Sequence, residues 1–240
     1  MEVEYRLLMI MSIVKKILKR LLGRGLGNEE KIALLIKGGA HIGKDLHCYG
    51  TVRFDSQYPF MLSIGDYVEI TDNVTILNHD YSWCVAKRMT GSLMGGIGHV
   101  HIGNNVFIGT NSTILMNTEI GDNCIIGAGS VVSGKFPSNS VIAGVPARIV
   151  CSIEDFITKR EKKQLEESKN IVIHYRKAFG VNPPKEKLPS YFWLFESRSK
   201  KLTNHQIERM RLKDNYDVSM TAYLKSEPLF DNYEDFLKNI

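Results

Sequence analysis

Ile102-Gly-Asn-Asn-Val-Phe-Ile108-Gly-Thr-Asn-Ser-Thr-Ile114 and Ile120-Gly-Asp-Asn-Cys-Ile-Ile126-Gly-Ala-Gly-Ser-Val-Val132 share one stride: an aliphatic residue every sixth position, usually followed by glycine. A six-residue unit cannot bury its own apolar side chain. Each unit must stack on its neighbours, which is how a solenoid assembles a core from local pieces. The pattern predicts a coil of short strands with its function on the coil's surface.

The stride runs backwards from Ile102. Ile36, Ile42, Cys48 and Phe54 are spaced by six, an insertion at Ser56 to Phe60 breaks the count, and Ile64, Ile70 and Ile76 restore it. It then stops until Ile102. The intervening His79 to Gly98 has Gly91, Gly95, Gly96 and Gly98 among Trp83, Met89, Leu93 and Met94, without a six-fold register. It reads as an irregular loop thrown out of the coil, the kind of segment that carries function. The fifth residue of each unit (Val68, Val74, Val106, Ser112, Thr118, Cys124, Ser130) is small or branched, as expected where a second side chain turns inward at a tight corner.

This is a hexapeptide repeat, and over residues 32–150 the chain resembles the left-handed parallel β-helix acyltransferases, in particular the xenobiotic, sugar and polysaccharide O-acetyltransferase group. The residues that carry the resemblance are His79 before the loop, Asn104-Asn-Val-Phe-Ile-Gly109 after it, Ile126-Gly-Ala-Gly-Ser-Val-Val132, and Ala143-Gly-Val-Pro-Ala-Arg148. It implies a mainly β fold in which three six-residue strands make one triangular turn, Ile102 stacking on Ile120, Ile108 on Ile126 and Ile114 on Val132. The left hand is implied by the family, since the general crossover rule favours the right-handed form. The expected organisation is an N-terminal amphipathic helix in residues 1–30, a β-helix in 31–150 with a projecting loop at 79–99, and a helical C-terminal extension in 151–240.

A chain of 240 residues, 43% hydrophobic and 24% charged, suits one good core with appendages. Cys48, Cys84, Cys124 and Cys151 fall at no metal-ligand spacing and read as thiols of a reducing, cytoplasmic compartment. The formal charge of +5 divides as +4 over residues 1–27, −2 over 28–150 and +3 over 151–240. The coil is therefore not the basic part, which argues against a nucleic-acid groove along it. Within residues 5–22, Ile10, Ile13, Val14, Ile17, Leu18, Leu21 and Leu22 follow helical spacing opposite Lys15, Lys16, Lys19 and Arg20. Two readings stay open for this helix: a cap on the open end of the coil, or peripheral attachment to an anionic membrane at its inner face. Lys15 interrupts the apolar run well short of the roughly 20 residues a membrane span needs.

After Arg148 the repeat ends. Ser152 to Phe179 reads as a charged helix, Gly180-Val-Asn-Pro-Pro184 breaks it, and Asn204 to Arg211 and Tyr233 to Leu237 read as two short helices. Tyr191-Phe-Trp-Leu-Phe195 is either a packing cluster or an aromatic platform for a glycan.

The chemistry centres on Asn78-His79-Asp80. Moving an acetyl group from a thioester to a hydroxyl requires removal of the hydroxyl proton, and imidazole has a pKa near working pH. His79 matches the family's catalytic histidine, and Asp80 or Asn78 is expected to hold its tautomer. The resemblance further implies acetyl-CoA as cosubstrate, with main-chain contacts at Gly109, Thr110 and Ala128 and phosphate contacts at Lys135 and Arg148. It places the acceptor, a sugar or glycan hydroxyl, near Arg53, Asp55 and Tyr58. The assembly it implies is a homotrimer with the site between coils, and no metal. Two rivals are a β-helix zinc hydrolase using His79, His99 and His101, and a non-catalytic scaffold, whose mark would be loss of both His79 and the loop.

Overall fold

The computed structural model describes residues 26–240, which form two compact units divided between Ile153 and Glu154. The amphipathic segment of residues 5–22 lies outside the described residues.

In the first unit, helix α1 (Asn28–Lys37) precedes strands of two or three residues: β1 (His41–Ile42), β2 (His47–Cys48), β3 (Arg53–Phe54), β4 (Leu62–Ile64), β5 (Glu69–Ile70) and β6 (Thr75–Ile76). Helix α2 (Trp83–Thr90) lies in the loop, followed by β7 (Val100–Ile102), β8 (Phe107–Ile108), β9 (Thr113–Ile114), β10 (Thr118–Ile120), β11 (Ile125–Ile126), β12 (Val131–Val132) and β13 (Lys135–Phe136). A hairpin of β14 (Ser140–Gly144) and β15 (Ala147–Ser152) ends the coil. Every third strand pairs in parallel, giving three sheets in the orders β1-β4-β7-β10-β13, β2-β5-β8-β11-β14-β15 and β3-β6-β9-β12, the last strand of the second being antiparallel. The result is a left-handed parallel β-helix.

The register is the one the family resemblance implies: Ile102 opposes Ile120, Ile108 opposes Ile126, and Ile114 opposes Val132. These side chains, with Ile64, Ile70 and Ile76, are at most 1% exposed and make the coil's core. Each full burial of such a side chain contributes roughly 1.5–3 kcal/mol. The expected second inward row is also buried: Val68, Val74, Val106, Ser112, Thr118, Cys124 and Ser130. Its hydroxyls find carbonyls, Ser112 and Ser130 both donating to Gly127 O at 3.0 and 2.6 Å, so their burial leaves no orphaned donor.

The corners have their own ladder. Asn105, Asn123 and Asn139 adopt positive φ (53°, 55° and 62°), a conformation asparagine tolerates better than most residues. Their side chains bond in a column, Asn105 Nδ2 donating to Asn123 Oδ1 at 2.9 Å and Asn123 Nδ2 to Asn139 Oδ1 at 3.0 Å.

The coil begins one unit later than the count of six suggests. Ile36 is not a repeat position: it lies in α1 and is 53% exposed, while Leu35, 2% exposed, turns into the coil's core. Helical spacing in α1 carried an isoleucine onto the six-residue count by coincidence, and α1 covers the open end. The projecting loop is also more ordered than the reading of it as irregular: its base is closed by Asp80 N–H to Gly96 O and Gly98 N–H to Asn78 O, both 2.9 Å, and it contains α2.

The second unit comprises α3 (Ile153–Phe179), α4 (Asn204–Arg211), α5 (Tyr216–Lys225) and α6 (Tyr233–Lys238). Phe192, Phe195, Tyr223 and Phe236 are at most 5% exposed at its centre, so the aromatic cluster is a core and not an open platform. Helix α5 has no counterpart among the expected tail helices, because only its Tyr223 is buried and its sequence shows no clear apolar stripe. Among the described residues no helix is long and apolar enough to cross a membrane.

Candidate functional site

Strands β3 and β6 stack with Phe54 opposite Ile76. The next residue, Asp55, donates its N–H to Ile76 O, and the chain leaving β6 reaches Asn78 and His79 beside it. The Asp55 carboxylate accepts a hydrogen bond through Oδ2 from His79 Nδ1, and Oδ2 also accepts from Asn78 N–H at 3.2 Å. Oδ1 accepts from Gln57 N–H at 3.1 Å. The Asp55 side chain is 6% exposed and that of His79 17%, so the pair is largely withdrawn from solvent. Tyr58 and Tyr81 meet the imidazole edge-on, with centroids 5.9 and 5.4 Å away. With its Nδ1 proton facing a carboxylate, the ring presents Nε2 with a free lone pair.

This corrects the expected orienting group. Asp80 does not hold His79: its carboxylate accepts from Ser82 N–H (2.9 Å) and Ser82 Oγ–H (2.7 Å), caps the first turn of the loop, and is held below the usual carboxylate range chiefly by the Ser82 hydroxyl. Asn78 does not hold the ring either. It is buried, and its Nδ2 donates to Tyr58 O at 2.6 Å, tying the 56–60 insertion to the site. Its Oδ1 is buried with no partner among the described residues, a departure from saturated hydrogen bonding of the kind that concentrates at functional sites. Asp55, read from the sequence as an acceptor contact, is the residue that orients the imidazole. Its role was legible in principle: extending the Phe54–Ile76 stacking by one residue places Asp55 against Leu77, at the foot of Asn78-His79.

Gly109, Thr110 and Ala128 come together at another corner, between β8 and β9 and, one turn on, between β11 and β12. A Cβ on Gly109 would lie 2.5 Å from Ala128 N, so glycine is required there by the approach of the next turn. The N–H groups of Thr110 and Ala128 donate to nothing among the described residues, and both residues are exposed. They are main-chain donors fixed by the coil and open to a ligand. Within one chain, this corner is not the His79 corner, which lies between β6 and β7.

Lys135 stands on a third location, the outer face of the β1-β4-β7-β10-β13 sheet, where it pairs with Glu119 at 2.9 Å. Glu119 also accepts from His99 at 2.9 Å, and Lys135 first and His99 second hold its carboxyl below the usual range. Arg148, on β15, is exposed and donates to Ala147 O at 2.8 Å. Arg53 is exposed on β3, two residues from Asp55. The zinc reading needs His79, His99 and His101 as one ligand set. His79 is committed to Asp55 and His99 to Glu119, and among the described residues no group of three His, Cys, Asp or Glu is arranged to hold a metal.

Comparison with known proteins agrees with the repeat. Residues 99–134 match the family described as bacterial transferase hexapeptide (six repeats). Protein CapG of Staphylococcus aureus is 36% identical over 176 residues, covering 72% of this chain and 98% of CapG. The galactoside O-acetyltransferase of Escherichia coli (strain K12) is 36% identical over 115 residues, covering 48% of this chain and 55% of the relative, so the chain spans about half the length of that protein. Among solved structures, a galactoside acetyltransferase in complex with coenzyme A is 30% identical, with a TM-score of 0.40, covering 52% of this chain and 70% of that one. On its repeat, and on a match that runs nearly the whole length of CapG, the chain belongs to the hexapeptide-repeat acetyltransferase family.

Proposed function

We propose that the protein transfers an acetyl group from acetyl-CoA to a sugar hydroxyl, in the assembly of a surface polysaccharide at the cytoplasmic side of the membrane, with His79 as general base. The observation that carries this reading is the Asp55–His79 pair at the mouth of the projecting loop. Asp55 fixes the ring and stabilises the imidazolium that forms, while Nε2 takes the proton of the attacking hydroxyl. The hydroxyl oxygen bonds to the thioester carbonyl carbon, the carbon–sulfur bond breaks, and the proton on Nε2 passes to the departing sulfur. The free N–H groups of Thr110 and Ala128 are suited to the charge that develops on the carbonyl oxygen, because they need no reorganisation.

One coil holds the base and these donors at different corners, so the working assembly is a trimer in which the His79 corner of one subunit faces the Thr110 and Ala128 corner of the next. The second sheet offers a face for that contact: Phe107, Ile125 and Val141 stack in register on its outer side, and Phe107 is 42% exposed. The galactoside named in the relative and the Tyr58 and Tyr81 rings flanking His79 support a sugar acceptor. Coenzyme A release with galactosides and glucosides as acceptors tests the reading. Acceptor-dependent thiol release by the natural chain, absent from His79→Ala, is expected; release that His79→Ala retains in full would refute it.

A further inference from the structure

We propose that the acceptor carries an anionic group, a carboxylate or a phosphate ester, and that a basic cavity beside the Asp55–His79 pair seats it. This rests on the acetyltransferase reading above and narrows its substrate class.

A cavity of about 610 Å³ opens between α1 and the segment that runs from β3 into the 56–60 insertion. Its apolar walls include Leu34, Phe54 and Pro59, and its charged lining among the described residues is Lys31, Lys37 and Arg53, with no acidic side chain. Lys31 is fixed, its Nζ donating to Val52 O at 2.7 Å. The side chains of Lys37 and Arg53 have no ion-pair or hydrogen-bond partner among the described residues, Arg53 being tied to the coil only through its backbone N–H, which donates to Val74 O at 2.9 Å. The carboxylate nearest Arg53 in sequence, Asp55, is occupied by His79, Asn78 and Gln57. Three like charges around a largely apolar concavity repel one another in a medium less polar than water, and a bound anion removes that cost. The planar guanidinium of Arg53 suits a carboxylate or phosphate, where two donors engage two oxygens.

The cavity is also well placed. Arg53 opposes Thr75 and Phe54 opposes Ile76, so β3 lies one strand spacing, about 4.8 Å, from the strand that leads to His79. Pro59 adjoins Tyr58, whose ring meets His79. Ser56 and Pro59 of the cavity wall flank Tyr58 and follow Asp55 in the chain, so a sugar whose acidic group sits by Arg53 would reach the base along residues 55–58.

The test uses the full chain with three probes of matched ring: a methyl glucoside, the corresponding methyl glucuronide and glucose 6-phosphate. Calorimetric titration is expected to show the two anionic probes binding about tenfold or more tightly than the neutral one, the worth of one charge-assisted hydrogen bond. Preference for the glucuronide or for the phosphate ester identifies which anion the cavity takes. Arg53→Gln and Lys37→Gln should each lower the anionic-to-neutral ratio, and added salt should lower it further. His79→Ala should leave that ratio in place. Equal affinity for charged and neutral probes, or a ratio that neither variant moves, overturns the proposal. So does competition between coenzyme A and the anionic probes, which would assign the cavity to the donor's phosphates, or failure of all three probes to bind until residues 1–25 are removed, which would make those residues its occupant. Binding of the anionic probes with no acetyl transfer to any of them would instead overturn the proposed function.

Discussion

Asp55 and His79 are 24 residues apart in the chain and joined by a hydrogen bond, because one step of the coil separates β3 from β6. The imidazole is thus oriented by a residue on the neighbouring turn and not by its neighbour in sequence. Asp55→Asn should keep the fold and lower acetyl transfer by roughly two to four orders of magnitude, since an amide facing Nδ1 favours the tautomer with its proton on Nε2. His79→Ala should fall in the same range. The double variant should be no worse than the more impaired single one, because the two residues act as a unit. Steady-state rates with matched circular dichroism spectra check this, and an Asp55→Asn protein near full turnover would remove Asp55 from the mechanism.

The repeat made most of the coil legible. The count of six showed which residues point inward, and the family resemblance, with three strands to a turn, supplied which pairs stack, Ile102 on Ile120 among them. The count misled at Ile36, where a helix happened to share it, and it was silent on α2, a helix of 8 residues none of which is buried, and on α5, whose sequence carries little apolar periodicity. His79 was legible through its position before the loop. Asp55 was misassigned, because its partner is chosen by stacking between turns, while adjacency in sequence favoured Asp80. The asparagine ladder was visible only as Asn three residues after Ile102, Ile120 and Phe136; that its members bond to one another required the turns to be superposed.

Asn123 bridges two turns through its side chain while holding φ at 55°. Asn123→Ala should lose both ladder bonds and add left-handed strain, costing about 2–4 kcal/mol, whereas Asn123→Gly keeps the backbone unstrained and should cost about 1–2 kcal/mol. Denaturant unfolding of the first unit checks the order. Equal stability of the two variants would show that backbone strain at this corner is negligible.

The Phe107, Ile125 and Val141 stripe is proposed to lie between subunits. Placing a carboxylate in it should break the assembly, since burying an unpaired charge is costly. Phe107→Glu is expected to change a trimer into a monomer by light scattering at micromolar concentration and to abolish transfer while leaving the coil folded. A natural chain that is monomeric and active would contradict both the assembly and the split site.

The cysteines should differ in reactivity with a predictable order. Cys84 is exposed, while burial pushes the Cys48 thiol up to about 11 and raises Cys124 as well. The thiolate is the reactive form, and its share rises about tenfold per pH unit below the pKa. Iodoacetamide at pH 8 should therefore modify Cys84 first, with Cys48 lagging by orders of magnitude and gaining as the pH rises toward 10. Peptide mass mapping follows each site, and fast labelling of Cys48 at pH 8 would mean that the coil opens at its lower turns.

The same exposed Cys84 is the thiol nearest His79 in sequence, and so the first candidate for a covalent route. It lies in α2, five residues beyond His79, yet the imidazole's Nδ1 is bound to Asp55, and among the described residues no hydrogen bond joins the ring to the thiol. An acyl-enzyme requires a nucleophile activated by an adjacent base, and here the base has no such partner. Attack should be direct, with donor and acceptor bound together. Initial-rate plots at several acceptor concentrations are expected to intersect, Cys84→Ala should retain most of the activity, and protein incubated with acetyl-CoA alone should gain no mass. Parallel lines together with an added acetyl group on the Cys84 peptide would establish a covalent intermediate and move the first step of the reaction from the hydroxyl to the thiol.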